Sequence, residues 1–325
     1  MSGVTEGKPK SRVEDQQGSI AYRAAKMIGG VLLGSILGNP LGRALMIRQT
    51  ENSLPKGFPS DVHNRYTGVF QILRKIYLQE GARALWRGTT PFILVQLVEK
   101  GFGLMYNQEL KQFAASTTQR FYPSEQKTKT NKLLKNCLVG MLSAIPTIIL
   151  GQPLRFLKTS IYTDIGTNET KRFKGMADCA SQIYKQNGIL PFYRGFLCLV
   201  AGTVLYRMAY FTLFDLTKAY VPKSASKTLQ SVVPSPFYSN LILNMSLSLA
   251  VVSLSGFVTN PISLVYHRLQ LQSLRGDQGK QFNTVLGGFK YILTNEGFAH
   301  LFKGAGFSMA KGIASSLILT IYASK

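Results

Sequence analysis

A pattern that recurs three times constrains this chain more than any other feature. Pro40, Pro153 and Pro261 each stand near the end of an apolar stretch, at intervals of about 110 residues. Each proline is followed later by a triplet of an aromatic residue, a basic residue and a glycine: Trp86-Arg87-Gly88, Tyr193-Arg194-Gly195 and Phe302-Lys303-Gly304. We therefore predict a polar tail over 1–19 and three repeats over 20–122, 123–227 and 228–325, which together form one membrane domain.

Each repeat contains two apolar stretches long enough to cross a bilayer, which takes about 20 residues of helix. The six stretches are 21–49, 90–113, 134–162, 195–220, 238–271 and 304–324. Between the two stretches of a repeat lies a polar connection with a short amphipathic segment, which we expect along the membrane surface. The predicted fold is an all-α membrane protein with six transmembrane helices in three tandem repeats and short surface helices.

Composition argues against several other functions. Lysine and arginine outnumber acidic residues 38 to 15, but they lie between apolar segments without a long basic run, so we predict no nucleic-acid partner. The three cysteines lack paired spacing, and the three histidines lack a cysteine or an acid at metal-ligand spacing. No nucleophile motif or phosphate loop is present in the sequence. We therefore expect no metal, no cofactor and no enzymatic activity.

The second half of each repeat carries a further motif. Glu80-Gly81, Asn187-Gly188 and Glu296-Gly297 precede the three triplets. On these residues the chain resembles the mitochondrial carrier family over nearly all of its length. Residues 202–211, followed by Asp215 and Lys218, are similar to the fourth membrane helix of the ADP/ATP carriers within that family. The resemblance implies six tilted helices around a water-filled cavity, residence in the mitochondrial inner membrane and cardiolipin held at the repeat junctions.

The resemblance also implies where a solute would bind. Val95 and Ser35 replace basic residues of the ADP/ATP carriers, and Lys311 replaces an arginine. In a transport-competent chain the implied substrate-binding residues are Gly202, Thr203, Tyr206, Arg207 and Lys311. Arg207 and Lys311 could hold a nucleotide or another anion, because a cation in a low-dielectric cavity attracts phosphate or carboxylate. An equally weighted alternative is that Arg207 bonds backbone carbonyls or a neighbouring helix.

Members of this family close each end of the cavity with a ring of three ion pairs between helices. At the proline end, Gly42, Arg155 and Ser263 replace the expected acids, and Lys158 is the one expected base that remains. The remnants of both rings are Lys111, Lys158, Asp215 and Lys218. Charges near a bilayer are costly unless they are paired, so incomplete rings favour a bundle that rests in a single state.

By contrast, the residues that the resemblance assigns to lipid binding are retained. Gly68 and Gly175 open the first two surface segments, where free backbone amides suit a lipid phosphate. The third segment opens with Asn283-Thr284 and lacks the glycine. The implied cardiolipin-binding residues are Gly68, Gly175, Trp86, Arg87, Gly88, Tyr193, Arg194, Gly195, Phe302, Lys303 and Gly304.

The chain thus lacks most of the implied gate residues but retains the implied lipid-binding residues, and two functions are compatible with this pattern. The preferred interpretation is a carrier fold, derived from an ADP/ATP-type carrier, that no longer cycles and serves as an accessory or structural subunit of a larger inner-membrane assembly such as a respiratory-chain complex. The alternative is an active exchanger of nucleotides or another anionic solute, whose gates use hydrogen bonds and bulk, with Gln49 and Gln270 near the closure. Glu99 and Lys100, adjacent inside the second span, suit either a cavity lining or a polar contact with another protein.

Overall fold

The computed structural model describes residues 12–51, 68–121, 129–165, 171–220, 236–274, 282–306 and 308–309. These residues form eight α-helices and no strand, which confirms the predicted all-α class. In chain order the helices are α1 (Arg12–Thr50), α2 (Val69–Glu80), α3 (Thr89–Phe121), α4 (Lys129–Thr163), α5 (Met176–Asn187), α6 (Phe196–Tyr220), α7 (Pro236–Leu271) and α8 (Val285–Asn295).

The five long helices coincide with the first five predicted spans. By length and hydropathy alone, the segments Ile28–Thr50, Leu190–Thr217 and Met245–Leu271 are able to cross a membrane. The helices α3 and α4 carry more polar residues, among them Glu99 and Arg155. Most of the sixth predicted span, 304–324, lies outside the described residues. Because α1, α4 and α7 contain the three repeat prolines, we call them the proline helices.

Two glycines in each repeat shape the link from a surface helix to the next long helix. The glycine of each acid-glycine pair and the last glycine of each triplet have φ values between 72° and 92°. This left-handed conformation is costly for any residue with a Cβ atom. One glycine ends the surface helix, and the other lets the chain turn into the following long helix after a short 3₁₀ segment. The recurring motif is therefore a backbone requirement.

The last glycine of each triplet also lies against a proline helix of another repeat. A Cβ atom placed on Gly88 would lie 2.6 Å from Cδ1 of Tyr162. The equivalent contacts are 3.0 Å from Gly195 to Cδ2 of Tyr266 and 2.9 Å from Gly304 to Cδ1 of Leu45. The first repeat thus contacts the second, the second contacts the third, and the third returns to the first. These contacts close the three repeats into a circle.

Each surface helix packs its apolar face on the proline helix of its own repeat. In α2, the buried residues Val69, Ile72 and Ile76 follow helical spacing and join a cluster with Ala44 and Ile47 of α1. The helices α5 and α8 form the equivalent clusters in the second and third repeats. The predicted amphipathic connections are therefore helices. Burial in one of these clusters raises the pKa of the Cys179 thiol to about 12, which suits an unreactive packing residue.

Candidate functional site

The residue before each repeat proline is a buried amide: Asn39, Gln152 or Asn260. The oxygen of each amide accepts a hydrogen bond from the proline helix of another repeat. The donors are the Tyr162 hydroxyl to Asn39, the Tyr266 hydroxyl to Gln152 over 3.1 Å, and Gln49 Nε2 to Asn260 over 3.2 Å. The bonds run from α4 to α1, from α7 to α4 and from α1 to α7. These six side chains form a closed set of uncharged groups, which we call the neutral ring.

The nitrogen of each ring amide has a partner as well, and this partner belongs to the same repeat. The bonds run from Asn39 Nδ2 to Thr89 Oγ1 over 2.6 Å, from Gln152 Nε2 to the Arg194 carbonyl over 3.2 Å, and from Asn260 Nδ2 to the Leu301 carbonyl over 3.0 Å. Because both ends of each amide are bonded, its orientation is fixed. Each amide therefore ties the second half of its own repeat to a proline helix of another.

Gln270 adds a second layer to the ring between α4 and α7. Its Nε2 atom donates to the Tyr266 hydroxyl over 2.8 Å, and its Oε1 atom accepts from Thr159 over 2.7 Å. Gln49, Tyr162 and Gln270 lie at the same distance after their respective prolines. The two glutamines predicted near the closure thus contribute to it, at positions that follow the repeat.

A ring of neutral groups can both close the proline end and open again. Each buried neutral hydrogen bond stabilises the closed state by a net of about 0.5–1.5 kcal/mol. An amide or a phenol that loses its partner can be rehydrated by cavity water, whereas a broken ion pair leaves two charges to solvate. The absence of acids at Gly42, Arg155 and Ser263 therefore does not leave this end without a closure. Hydrogen bonds join the three proline helices there.

The ring amides do not stand out in the sequence, because the charged positions that the family resemblance implies all follow the proline. Asn39, Gln152 and Asn260 each stand one residue before the proline. Aligning the three repeats one position further upstream would have revealed an amide in every copy. The donors to these amides could not be found in this way. Gln49 and Tyr162 stand nine residues after their prolines but differ in type, and Tyr266 stands five residues after its proline.

The base of each triplet reaches the next repeat. Arg87 Nη2 lies 2.6 Å from Asp164 Oδ2, Lys303 Nζ lies 2.8 Å from Glu51 Oε2, and Arg194 Nη2 lies 2.6 Å from Asn283 Oδ1. Burial lowers the pKa of Lys303, and Glu51 partly offsets this effect. The three bases implied for lipid binding therefore have protein partners in the structure. Their contact with cardiolipin stays a prediction.

The acid of the acid-glycine pair binds an arginine of the proline helix in the first and third repeats. Arg43 and Glu80 are fully buried and pair over 3.3 Å, and Arg268 donates to both oxygens of Glu296 over 2.6 and 2.9 Å. Asn187 replaces the acid in the second repeat. There the ring of Phe156 in α4 packs on Phe192 with centroids 5.4 Å apart. We call the pairs Arg43–Glu80, Arg87–Asp164, Arg268–Glu296 and Lys303–Glu51 the charged bridges.

The starts of the three surface helices differ in what they offer to a lipid phosphate. The helix α2 begins after Gly68 without a side-chain cap and without an acid in its first turn. In α5, which follows Gly175, Asp178 accepts from the Lys174 amide over 2.8 Å, and this bond lowers the pKa of Asp178. In α8, Thr284 accepts from the Gly287 amide over 3.0 Å. A phosphate would meet the least competition at α2.

The structure brings four of the five implied substrate residues onto α6. Gly202 faces α7, where a Cβ atom would lie 3.0 Å from Cγ2 of Ile262. The Thr203 hydroxyl donates to the Leu199 carbonyl within α6, and the rings of Tyr206 and Tyr210 stack at 6.3 Å. Arg207 is half-buried on the same helix. Lys311 lies outside the described residues, so its position relative to α6 stays a prediction.

The gate remnants are described unevenly. Asp215 is exposed on α6. Lys111 and Lys218 belong to described helices, but their side chains lie outside the described part of the chain. Lys158 Nζ lies 4.5 Å from the centre of the Phe92 ring, and Arg155 forms an ion pair with Glu99 of α3. The sequence left open whether Glu99 lines the cavity or contacts another protein. In the structure its partner is Arg155 of the same chain.

Comparison with known proteins identifies the family. The model of the mitochondrial carrier protein family matches residues 17–117, 129–225 and 238–324, one segment for each repeat. The chain belongs to the mitochondrial carrier family. Proteins of this family are transporters of mitochondrial membranes, and the chain shares their three-repeat helical fold. This result confirms the resemblance and the fold class predicted from the sequence.

Several relatives match most of the chain. The ADP,ATP carrier protein of Parachlorella kessleri is 25% identical over 284 residues, which cover 87% of this chain and 77% of the relative. The human ADP/ATP translocase 4 is 26% identical over 284 residues, covering 87% and 83%. The mitochondrial substrate carrier family protein ancA of Dictyostelium discoideum is 25% identical over 298 residues, covering 91% and 90%.

The interpretation of the chain as a non-cycling accessory subunit of a respiratory-chain complex is wrong. The family match covers all three repeats, and the relatives are carriers and translocases by name. Nothing in these similarities indicates a subunit of a larger complex. The physical error was to equate a missing ion pair with a missing gate. The neutral ring joins all three proline helices without any charge.

Proposed function

We propose that the protein is a transporter of the mitochondrial inner membrane that exchanges anionic solutes, with nucleotides as the first candidates. The observation that carries the proposal is the neutral ring, because a closure built from hydrogen bonds can be broken and remade at each cycle. The names of the relatives, which include ADP/ATP translocases, support a nucleotide. The bundle acts as a passage and not as an enzyme.

In the proposed cycle the ring holds the proline end shut while the solute enters from the opposite end. Opening requires the three amides to release their donors, and cavity water then satisfies both groups. Each ring bond is weak enough to be offset by binding of a charged solute, since charge-assisted hydrogen bonds are about twice as strong as neutral ones. Solute binding can therefore drive the exchange of one closed end for the other.

The proposed solute site combines Gly202, Thr203, Tyr206 and Arg207 of α6 with Lys311. Arg207 supplies the planar guanidinium that suits a phosphate or carboxylate. Gly202 keeps α6 close to α7, and Tyr206 offers a ring face to a base. Cardiolipin at the repeat junctions, with Gly68 and the start of α2 as its first contact, would support the fold.

Reconstitution tests this proposal. The purified protein is placed in vesicles that contain cardiolipin and internal ADP, and uptake of labelled ADP, ATP or phosphate is measured. We expect saturable exchange that Arg207→Ala reduces about tenfold or more, because a charged hydrogen bond contributes about 1.5–3 kcal/mol. Arg207→Lys should retain part of the activity. Lys290→Gln, which removes an exposed charge on α8, is the matched control.

The proposal fails if folded protein exchanges none of these anions, or if Arg207→Ala and Lys290→Gln give the same rates as the wild type. The melting temperature of each purified variant shows whether it is folded. Exchange of phosphate but not of ADP or ATP, with a requirement for Arg207, would support an anion transporter and exclude nucleotides as its solutes.

A further inference from the structure

An ion pair lies within the helix bundle, apart from the charged bridges. Glu99 of α3 and Arg155 of α4 are in direct contact, with side chains 23% and 27% exposed. Arg155 occupies a position where the family resemblance implies an acid, so its charge is the reverse of the expected one. Glu99 stands on the neighbouring helix of the preceding repeat. The pair therefore joins two repeats inside a membrane-spanning part of the fold.

Arg155 lies on the face of α4 that contacts the rest of the bundle. Gln152 and Thr159, three residues before it and four after it, both bond side chains of α7. The guanidinium of Arg155 reaches α3 from this face. The pair is thus placed among α3, α4 and α7, beside the neutral ring. The charges of Arg155 and Glu99 both act on the hydroxyl of Tyr266, the ring donor to Gln152.

The charge around Glu99 does not balance. Arg155 contacts its carboxylate, and Lys158 lies one helical turn after Arg155 on α4, whereas the side chain of Lys100 is exposed. Lys158 lies over the rings of Phe92 and Tyr162, at 4.5 and 5.3 Å from their centres. One carboxylate beside two cations of α4 leaves a surplus of positive charge, which attracts an anion in a medium of low dielectric constant. The surplus persists whichever cation Glu99 contacts.

Space for the Glu99 carboxylate depends on a glycine. A Cβ atom on Gly151 would lie 3.3 Å from Glu99 Oε1 and 3.7 Å from Arg155 Nε. Contacts at 3.0–3.4 Å require the neighbour to move by a few tenths of an ångström. Gly151 is buried one helical turn before Arg155. The carboxylate therefore sits in a fitted position that a single methyl group would disturb.

We propose that Glu99 is an internal counter-ion of Arg155, and that a phosphate or carboxylate group of the solute displaces it. This inference rests on the proposed transport function and adds Arg155 to its solute contacts. The displaced Glu99 carboxylate keeps Lys158 as a neighbouring cation and Arg155 gains the solute anion, so neither charge of the original pair is left alone in the membrane. Because Arg155 and Glu99 act on Tyr266, their separation also changes the field at the neutral ring. Binding is thereby linked to opening of the proline end.

The test measures anion binding to the purified protein in detergent, with ADP and inorganic phosphate as separate probes. Displacement predicts opposite effects from the two partners. Glu99→Gln removes the competitor and should lower the Kd about tenfold, while Arg155→Gln should raise it about tenfold, on the scale of one charged hydrogen bond. The double variant should resemble Arg155→Gln. Lys290→Gln is the control for removal of a basic residue.

Gly151→Ala provides a second route that keeps every charge. The methyl group disturbs the Glu99 carboxylate, so the Kd should fall in the same direction as in Glu99→Gln, by less. Arg155→Lys should recover part of the binding lost in Arg155→Gln. A purely structural ion pair would instead lower the melting temperature of both single variants and leave the Kd of ADP and of phosphate unchanged.

The outcomes separate this inference from the proposed function. Opposite shifts in Kd without exchange in vesicles would support Glu99 as the counter-ion and contradict the proposed transport function. Exchange that is unaffected by either substitution would keep the transporter and overturn the counter-ion. Equal weakening of binding by Glu99→Gln and Arg155→Gln, or no binding of either probe by both wild type and Glu99→Gln, would also overturn it.

Discussion

The neutral ring and the charged bridges hold the same end of the molecule with different chemistry. Every bond of the ring joins one proline helix to another. Every charged bridge instead joins a proline helix, or the residue just after it, to a surface helix or a triplet. The ion pairs thus lie where contacts build the repeats and their junctions, although Arg43 and Arg268 also donate to the Tyr162 and Gln49 carbonyls of another proline helix. The side-chain bonds between proline helices in the ring are uncharged. In the proposed transport cycle this difference suits a gate, because water can replace the partners of uncharged groups more readily than those of ion pairs.

The largest effect should come from the charged bridges. Arg268 is fully buried, pairs with Glu296 and also donates Nε to the Gln49 carbonyl over 3.1 Å. Arg268→Ala leaves the Glu296 carboxylate without its partner, which typically costs about 3–5 kcal/mol of stability. We expect a loss of this size in the free energy of unfolding. Thermal or denaturant unfolding of the purified protein measures it. If Arg268→Ala cost less stability than Tyr266→Phe, the ring and not the charged bridges would be the stronger of the two contacts.

The next largest loss of stability should come from two glycines, which separate the cost of backbone strain from the cost of a clash with the neutral ring. Gly81 and Gly88 share a φ of 84°, but a Cβ atom on Gly81 meets nothing within 4 Å, whereas one on Gly88 meets the Tyr162 ring at 2.6 Å. Gly81→Ala should cost only the strain, about 1–3 kcal/mol, because φ 84° with ψ 171° is a backbone region adopted almost only by glycine. Gly88→Ala should cost about 1–3 kcal/mol more, because Tyr162 must move from its bond with Asn39. Equal melting temperatures for the two variants would show that the ring tolerates this displacement.

The ring itself should respond to the loss of one hydroxyl. Tyr266→Phe removes the donor to Gln152 and leaves the amide oxygen without it, at a cost of about 1–3 kcal/mol. The rate of exchange in vesicles should rise, because the closed state is the one that loses the bond. Tyr184→Phe is the control, since Tyr184 is 63% exposed on α5. A stability loss without any change in exchange rate would separate the ring from gating.

The sequence allowed the three repeats, five of the six long helices and the surface helices to be predicted, because these follow from local patterns; most of the sixth span lies outside the described residues. The spacing of Val69, Ile72 and Ile76 alone indicates a helix with one buried face. The glycines of the triplets were likewise visible, although their contact with Tyr162, Tyr266 and Leu45 was not. Such contacts join residues that are far apart in the chain, and no local periodicity encodes them.

The closure of the proline end was misinterpreted for a related reason. Charged residues attract attention in an apolar segment, so the replacement of acids by Gly42 and Ser263 looked like the loss of a gate. Asn39 and Gln152 are unremarkable in isolation and acquire their meaning only when Tyr162 and Tyr266 arrive from another repeat. The reversed charge at Arg155 is visible in the sequence, but its partner Glu99 lies on a different helix and in a different repeat.

The smallest expected loss of stability depends on salt, and this dependence should differ between the charged bridges and the neutral ring. Lys303 and Glu51 are 11% and 14% exposed, but Glu51 also pairs with Arg48 over 3.2 Å. Loss of Lys303 therefore leaves Glu51 with a basic partner whose side chain is 22% exposed and more open to screening by dissolved ions. Lys303→Gln should lower the free energy of unfolding by about 0.2–1 kcal/mol at low ionic strength, and the difference should shrink at high salt. Gln49→Ala removes a neutral donor to Asn260, and its cost should not depend on salt. Unfolding of both variants in a series of salt concentrations measures this contrast. A salt-dependent cost for Gln49→Ala would mean that the ring is coupled to the charges around it and does not act as an independent closure.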